Sequence, residues 1–197
     1  ASNRRLVKVT NQLLLLAQAE RSDVQAHLTT IDLAAAALDT VTEFDALAAS
    51  RHIDLGLDAP LDAGAVLVQA EPALLHALIA NLIDNALRYT PEGGHVTVGV
   101  HPGSAAEPTV TLTVTDDGPG IPPEARERVF ERFYRIAPHA SEGSGLGLAI
   151  VREAARSFGA EVSLAAHPLT ESGTEISVRF VAKPVPPIVV VANSKKP

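Results

Sequence analysis

The sequence predicts an α+β fold, a two-layer sandwich with one mixed sheet, helices on one face, and a further helix in front. Three observations predict it. Helical patterns fall between pairs of strand patterns instead of alternating with them one to one. Residues 72–89 carry one clear amphipathic helix. Apolar residues make up 46% of the chain, enough to bury a core between two layers.

The elements follow in order. Residues 3–21 read as a helix, because Leu6, Val9, Leu13 and Leu16 step by three, four and three, the spacing of a coiled-coil seam. That pattern fits either a terminal helix docked on its own domain or one helix of an intermolecular bundle. Residues 22–30 are polar and read as a linker. Leu33 to Ala49 is Ala-rich and helical. Ile53 to Leu57 and Ala65 to Val68 read as strands, with Pro60 and Gly64 between them. Pro72 opens the next helix, at a position where its missing N–H costs nothing. The helix ends near Tyr89, before Thr90-Pro91, and its stripe is Leu75, Leu78, Ile79, Leu82 and Ala86. Strands are expected at 95–101 and 109–115, a short helix from Pro122 toward Phe130, and a loop over 135–143. A helix is then expected from Leu146 to Phe158, closed by Gly159, with last strands at 161–166 and 174–181. Pro184, Pro186 and Pro187 break up the tail.

Charge and composition narrow the functional classes. The 197 residues carry 16 Lys and Arg against 23 Asp and Glu, a net charge of −7. Such a chain has no general attraction for nucleic acid or anionic lipid, so neither is expected as a partner. With no Cys, disulfides, thiolate metal sites and a Cys nucleophile are excluded. The longest apolar runs, Leu13 to Ala17 and Ile188 to Ala192, are too short to span a bilayer. There is no basic-then-apolar leader and no Met, so the chain is expected to be a piece of a longer protein.

Four segments carry possible chemistry. Asn81, Asn85 and Arg88 lie at i, i+4 and i+7 of one helix, on a face beside its apolar stripe. An amide oxygen can ligate a hard cation such as Mg²⁺, and a guanidinium can pair with phosphate; a solvated polar face with chance spacing explains the triplet equally simply. Asp116-Asp117-Gly118-Pro119-Gly120 ends a strand, where a carboxylate can accept from an exocyclic amine; Asp-Gly is also an ordinary turn pair. Phe130-Glu131-Arg132-Phe133-Tyr134-Arg135 places aromatics and arginines just before the loop, either as core contacts with solvated charges or as part of a site. Gly143-Ser144-Gly145-Leu146-Gly147-Leu148 opens a helix, where free N–H groups and the helix dipole suit an anion; a flexible linker before a helix is the other reading. It is neither the dinucleotide fingerprint nor a Walker loop, because its third Gly comes two residues after the second and no Gly-Lys-Ser/Thr follows.

In this order the four segments closely resemble the ATP-binding catalytic domain of bacterial sensor histidine kinases, over about residues 30–182. The match is to the N box (residues 81–91), the first glycine box (Asp116 to Gly120, then Ile121-Pro122), the F box (130–135) and the second glycine box (143–148). The resemblance implies the Bergerat-type ATP fold of the GHKL superfamily, shared with gyrase, Hsp90-like and MutL-like ATPases. It implies that Asp116 holds the adenine amino group, with Thr174 nearby through water. Asn85 ligates Mg²⁺, with Asn81 close by, and Arg88 and Tyr89 contact phosphate or ribose. The backbone of Ser144 to Leu148 cradles the phosphates, and 135–142 forms a lid over ATP. Gly118, Gly120, Ile121, Arg132, Arg135 and Gly143 complete the implied ATP site. Asn81, Asn85 and Arg88 are the implied catalytic residues.

The resemblance also divides the chain. Residues 1–22 would be the C-terminal part of a dimerisation-hairpin helix, 23–30 a linker, 31–183 the catalytic domain and 184–197 a tail. None of the seven histidines sits in the family's acceptor pattern, so the acceptor helix is expected outside this sequence. Related hydrolases place a Glu general base where this chain has Asn81, which favours transfer over hydrolysis. The implied function is transfer of the γ-phosphoryl group of ATP to a His on a dimerisation helix, then to an Asp of a response regulator. The implied parent is a homodimer, anchored in the membrane through other segments, with this domain in the cytoplasm. An ATP-hydrolysing or serine-kinase relative on the same fold, and a nucleotide-binding module without catalysis, remain the alternatives.

Overall fold

The computed structural model describes residues 2–21, 24–60, 64–104, 108–136, 143–169 and 172–181. Helix α1 spans Ser2–Ala19. The stretch read as a linker is structured where described: residues 24–27 form a 3-10 turn with Val24 buried, and strand β1 spans Thr29–Asp32. Polar composition hid both, because β1 takes its stability from pairing antiparallel with β3, Leu67–Ala70. Asp32 caps helix α2, Leu33–Ser50, by accepting from the Ala34 N–H at 3.0 Å. Strand β2 follows at Asp54–Asp58.

Helix α3, Pro72–Tyr89, begins at the expected proline, and the Glu71 carboxylate caps it by accepting from the Leu74 N–H at 2.7 Å. It stops at Thr90, whose hydroxyl and N–H both donate to the Ala86 carbonyl, before Pro91. Strands β4, His95–Pro102, and β5, Thr109–Asp116, come next. The short helix expected after Pro122 is two 3-10 turns, 123–125 and 128–130. Helix α4, Gly147–Ser157, and strands β6, Glu161–Ala166, and β7, Thr174–Val181, complete the chain.

The main sheet has the order β2-β4-β5-β7-β6. Only β2 and β4 run parallel; the other pairings are antiparallel, so the sheet is mixed as expected. On β5 the alternation of a half-buried strand puts Val110, Leu112, Val114 and Asp116 on the buried side. On β7 the same alternation buries Thr174, Ile176, Val178 and Phe180. Helices α2, α3 and α4 cover this face, and the stripe foreseen on α3 is wholly buried. Together they form the main core.

Helix α1 packs mainly against α4 and also touches α3. Its seam does not act as one surface. Leu16 is 2% exposed and joins Ala77, Leu146 and Ile150 in a second, smaller apolar cluster with Val9 at its edge, while Leu6 and Leu13 are exposed. The inward face is Val9, Gln12, Leu16 and Ala19, a helical stripe that shares Val9 and Leu16 with the seam read in the sequence and has Gln12 and Ala19 in place of Leu13 and Leu6. Among the described residues no helix is long and apolar enough to cross a membrane.

Candidate functional site

The site has two ends, both lying along α3. At one end the alternation of β5 places a carboxylate among apolar residues. Asp116 is 6% exposed and stands in register with Thr174 on β7, 5% exposed. Its Oδ1 accepts from the Gly118 N–H at 2.8 Å. Burial pushes the Asp116 pKa up to about 6, against the opposing pull of the Gly118 and Thr174 N–H groups and nearby His167. Gly173 closes this end at φ +108°, and a Cβ there would lie 2.2 Å from the Asp116 carbonyl oxygen, so only glycine fits. A Cβ at Gly118 would lie 3.2 Å from the Tyr89 carbonyl oxygen. The turn after β5 therefore rests on the C-terminal end of α3. Gly120 comes equally near the Gly173 carbonyl, and Ile121 is half-buried against the core, its carbonyl accepting from Arg126 Nε at 3.2 Å.

At the other end the polar face of α3 meets the loop that opens α4. Asn81 is half-buried, and its Nδ2 donates to the Ala77 carbonyl at 2.7 Å. Asn85 is half-buried one turn on, and Arg88 Nη2 pairs with Asp84 Oδ2 at 3.0 Å. Tyr89 is exposed. Leu146 and Leu148 bury their side chains, which fixes the loop and leaves its backbone to do any binding. Gly145 adopts φ +71°, and its carbonyl accepts from the Phe133 N–H at 2.8 Å; a Cβ there would come within 2.7 Å of the Phe133 carbonyl carbon. The second glycine segment is thereby tied to the aromatic segment 130–135. A Cβ at Gly147 would sit 3.0 Å from Asn81 Oδ1, and one at Gly143 3.2 Å from Arg88 Nη1. Ser144 Oγ accepts from the Leu146 N–H at 3.2 Å and donates to Gln12 Oε1 at 2.7 Å. Gln12 Nε2 in turn donates to Asn81 Oδ1 at 3.4 Å.

The fold thus gathers Asn81, Arg88, Gly143, Ser144, Gly145 and Gly147 along the polar face of α3, from its middle to its C-terminal turn, with Asn85 on the helix between Asn81 and Arg88. Gly118 stands against Tyr89 at the C-terminal end of the helix, with Asp116, Gly120 and Thr174 beside it. Arg132 points elsewhere, since its guanidinium pairs with Glu20, just past α1. Arg135 is half-buried. The expected lid lies outside the described residues from 137 to 142. Sequence reasoning missed Gln12, although its signal was present as a polar residue on the stripe Val9, Leu16 and Ala19. It also missed the cluster beside Asp116. His95 Nδ1 lies 2.8 Å from Asp117 Oδ2 and His167 Nε2 lies 3.7 Å from Asp117 Oδ1. The His95 hydrogen bond holds the Asp117 carboxyl below the usual carboxylate range. These contacts join residues far apart in sequence, so no local spacing announces them.

The donor set fits a nucleotide with its metal. Glycine at 145 and 147 lets the loop pack directly on Phe133 and Asn81, which sets its backbone at the start of a helix, where N–H groups suit an anion. Among the described residues no group of three or more His, Cys, Asp or Glu is placed to hold a metal ion. The side-chain oxygens that α3 brings to this end are the amides of Asn81 and Asn85, a ligand type that suits a hard cation.

Comparison with known proteins gives a consistent result. A profile of the family described as histidine kinase-, DNA gyrase B-, and HSP90-like ATPase matches residues 70–184. The chain is 35% identical over 158 residues to the swarming motility regulation sensor protein RssA of Serratia marcescens, covering 80% of this chain and 33% of that protein. It is 46% identical over 115 residues to the sensor protein CreC of Escherichia coli, covering 57% of this chain and 23% of that one. The chain spans about a third of the length of the first curated relatives it matches. Among solved structures, a mycobacterial sensor histidine kinase, MprB, superposes with a TM-score of 0.66 at 29% identity, covering 80% of this chain and 99% of that one.

Proposed function

The chain belongs to the histidine kinase-, DNA gyrase B- and HSP90-like ATPase family, and on that premise we propose that it binds Mg-ATP as the catalytic part of a two-component sensor kinase. The observation that carries this reading is the convergence of the Gly143–Leu148 loop on the Asn81–Arg88 face of α3, with the turn that follows buried Asp116 resting on the C-terminal end of the same helix. Asp116 accepts from the adenine amino group, with Thr174 beside it. The N–H groups of the glycine loop receive the phosphates, and Arg88 adds positive charge. Asn85, with Asn81 near, offers amide oxygen to the metal. Bound Mg²⁺ neutralises phosphate charge.

Asn81 supports transfer over hydrolysis. An amide cannot take a proton from water, whereas neutral imidazole is already a nucleophile and needs no base. The domain's part is then to position the γ-phosphoryl group and balance its charge. The acceptor His and the response-regulator Asp that receives the group next are supplied by other chains or segments. Helix α1 is the C-terminal part of the dimerisation hairpin, residues 23–30 its linker to the catalytic domain, and the parent is an anchored homodimer with this part in the cytoplasm. The names of the relatives, sensor proteins in both cases, support the sensor-kinase reading.

The test supplies the chain with radiolabelled ATP, Mg²⁺ and a separate acceptor hairpin. Label on the hairpin His is the expected result. Tight ATP binding with no transfer, or steady phosphate release by the chain alone, would contradict it.

A further inference from the structure

Two carboxylates stand side by side at the end of β5. Asp116 is buried, and Asp117, the next residue, is half-buried and held by residues of two other strands. Its N–H donates to the His95 carbonyl at 3.2 Å. Its Oδ2 accepts from the His95 N–H at 2.9 Å and lies 2.8 Å from the His95 ring Nδ1. Its Oδ1 faces His167 Nε2 at 3.7 Å, too long for a hydrogen bond but close for charge.

His167, just past β6, is firmly fixed. Its side chain is 13% exposed. Its Nδ1 accepts from the Leu169 N–H at 3.0 Å, so the proton of the neutral ring sits on Nε2, the nitrogen that faces Asp117. Its own N–H donates to the Gly173 carbonyl at 3.3 Å. A Cβ at Gly173 would lie 3.0 Å from His167 Cβ and 2.2 Å from the Asp116 carbonyl oxygen, so His167 and the Asp116 backbone meet at this glycine.

The surrounding elements bring other charges. β4 brings His95, on the far oxygen of Asp117. α3 brings Arg88, paired with Asp84, and β7 brings Glu175, which accepts from the Thr115 hydroxyl at 3.3 Å. Two of the charges in this region act on Asp116, in opposite senses: His167 favours its ionised form and Asp117 disfavours it. An N–H set against a carboxylate favours the negative charge as a dipole in the neutral ring, and more strongly in the cation.

We infer that His167 is a positioning residue for base recognition: held by Leu169 and Gly173, it sets its Nε2–H against the paired carboxylates and keeps Asp116 ionised, as the acceptor of the adenine amino group. The inference rests on the nucleotide reading of the site. It divides the two carboxylates by task, with Asp117 bound to protein groups and Asp116 left for the base.

The experiment is calorimetric titration with a non-hydrolysable ATP analogue and Mg²⁺, from about pH 5.5 to about pH 8.5, of the chain, of His167→Gln and of His167→Lys. Gln removes the charge, and Lys restores it without the ring. His167→Gln is expected to raise the pH at which affinity is lost by roughly one unit, which weakens binding about threefold near pH 6.5 and leaves it unchanged near pH 8.5. His167→Lys is expected to lose affinity at the same pH as the unaltered chain or below it. A role in packing alone would weaken both variants at every pH. That result, or an unmoved midpoint in His167→Gln, overturns the inference and leaves the nucleotide site standing. If His167→Gln does not fold, His167→Lys decides: a midpoint at or below that of the unaltered chain supports the inference, and one above it overturns it. Absence of binding in all three chains at every pH overturns the site itself, and the inference with it.

Discussion

Asp116 shows how a strand pattern sets chemistry. Period-2 alternation buries it with Val110, Leu112 and Val114, and desolvation raises its pKa to about 6. Adenine recognition needs the ionised acceptor, so ATP affinity is expected to fall as pH drops through about 6, where an ordinary carboxylate would hold out to about 4. A titration of nucleotide affinity against pH checks this. The stability term has the opposite sense. Because the folded pKa is raised, burial of Asp116 favours the protonated form, and its contribution is fully present below the unfolded pKa and lost as pH rises through about 6. Asp116→Asn swaps an acceptor for an amide and is expected to reduce the preference for ATP over GTP, by about 1–3 kcal/mol; an unaltered preference would refute the role. Asn85→Ala is expected to abolish the part of ATP affinity that depends on Mg²⁺, read by titration with and without the metal. The Asp116 motif and the asparagines were legible in the sequence because residue types and spacing announce them. The raised pKa was not, because it depends on which face of the sheet the strand end joins.

At the scale of elements, α3 is the frame on which both ends of the site hang. Leu78 lies fully buried on it, and Leu78→Ala is expected to cost about 2–5 kcal/mol, measured by denaturant unfolding. The loop before α4 is held by conformation more than by side chains. Gly145→Ala would combine a left-handed φ with a backbone overlap at Phe133. It is expected to lower ATP affinity and shift the melting temperature down; unchanged values for both would show that the loop is not fixed there. Strong periodicity or punctuation made α2, α3, α4, β6 and β7 readable from the sequence. Strand β1 escaped, since Thr29–Asp32 has no apolar run and becomes a strand only by meeting Leu67–Ala70, a strand expected two residues earlier at 65–68. Of the α1 seam, Val9 and Leu16 face this chain, while Leu6 and Leu13 are exposed. Leu6 and Leu13 have the right spacing, but Gln12 has partners on other elements that spacing cannot reveal.

Over the whole molecule, the mixed sheet and its covering helices bring segments from residue 12 to residue 174 around one helix. The order of motifs carried that architecture in the sequence, and family membership supports it. What the sequence left out is how α1 meets the catalytic core, through Leu16 in a small apolar cluster and Gln12 on Ser144 and Asn81. The central claim is that this surface binds Mg-ATP through Asp116 at one end and the asparagines with the glycine loop at the other. Its most direct test is calorimetric titration with a non-hydrolysable ATP analogue, run with and without Mg²⁺ and repeated with the GTP analogue. Saturable, metal-dependent binding that prefers adenine is the expected result. Binding indifferent to metal and base, or no binding, would contradict it.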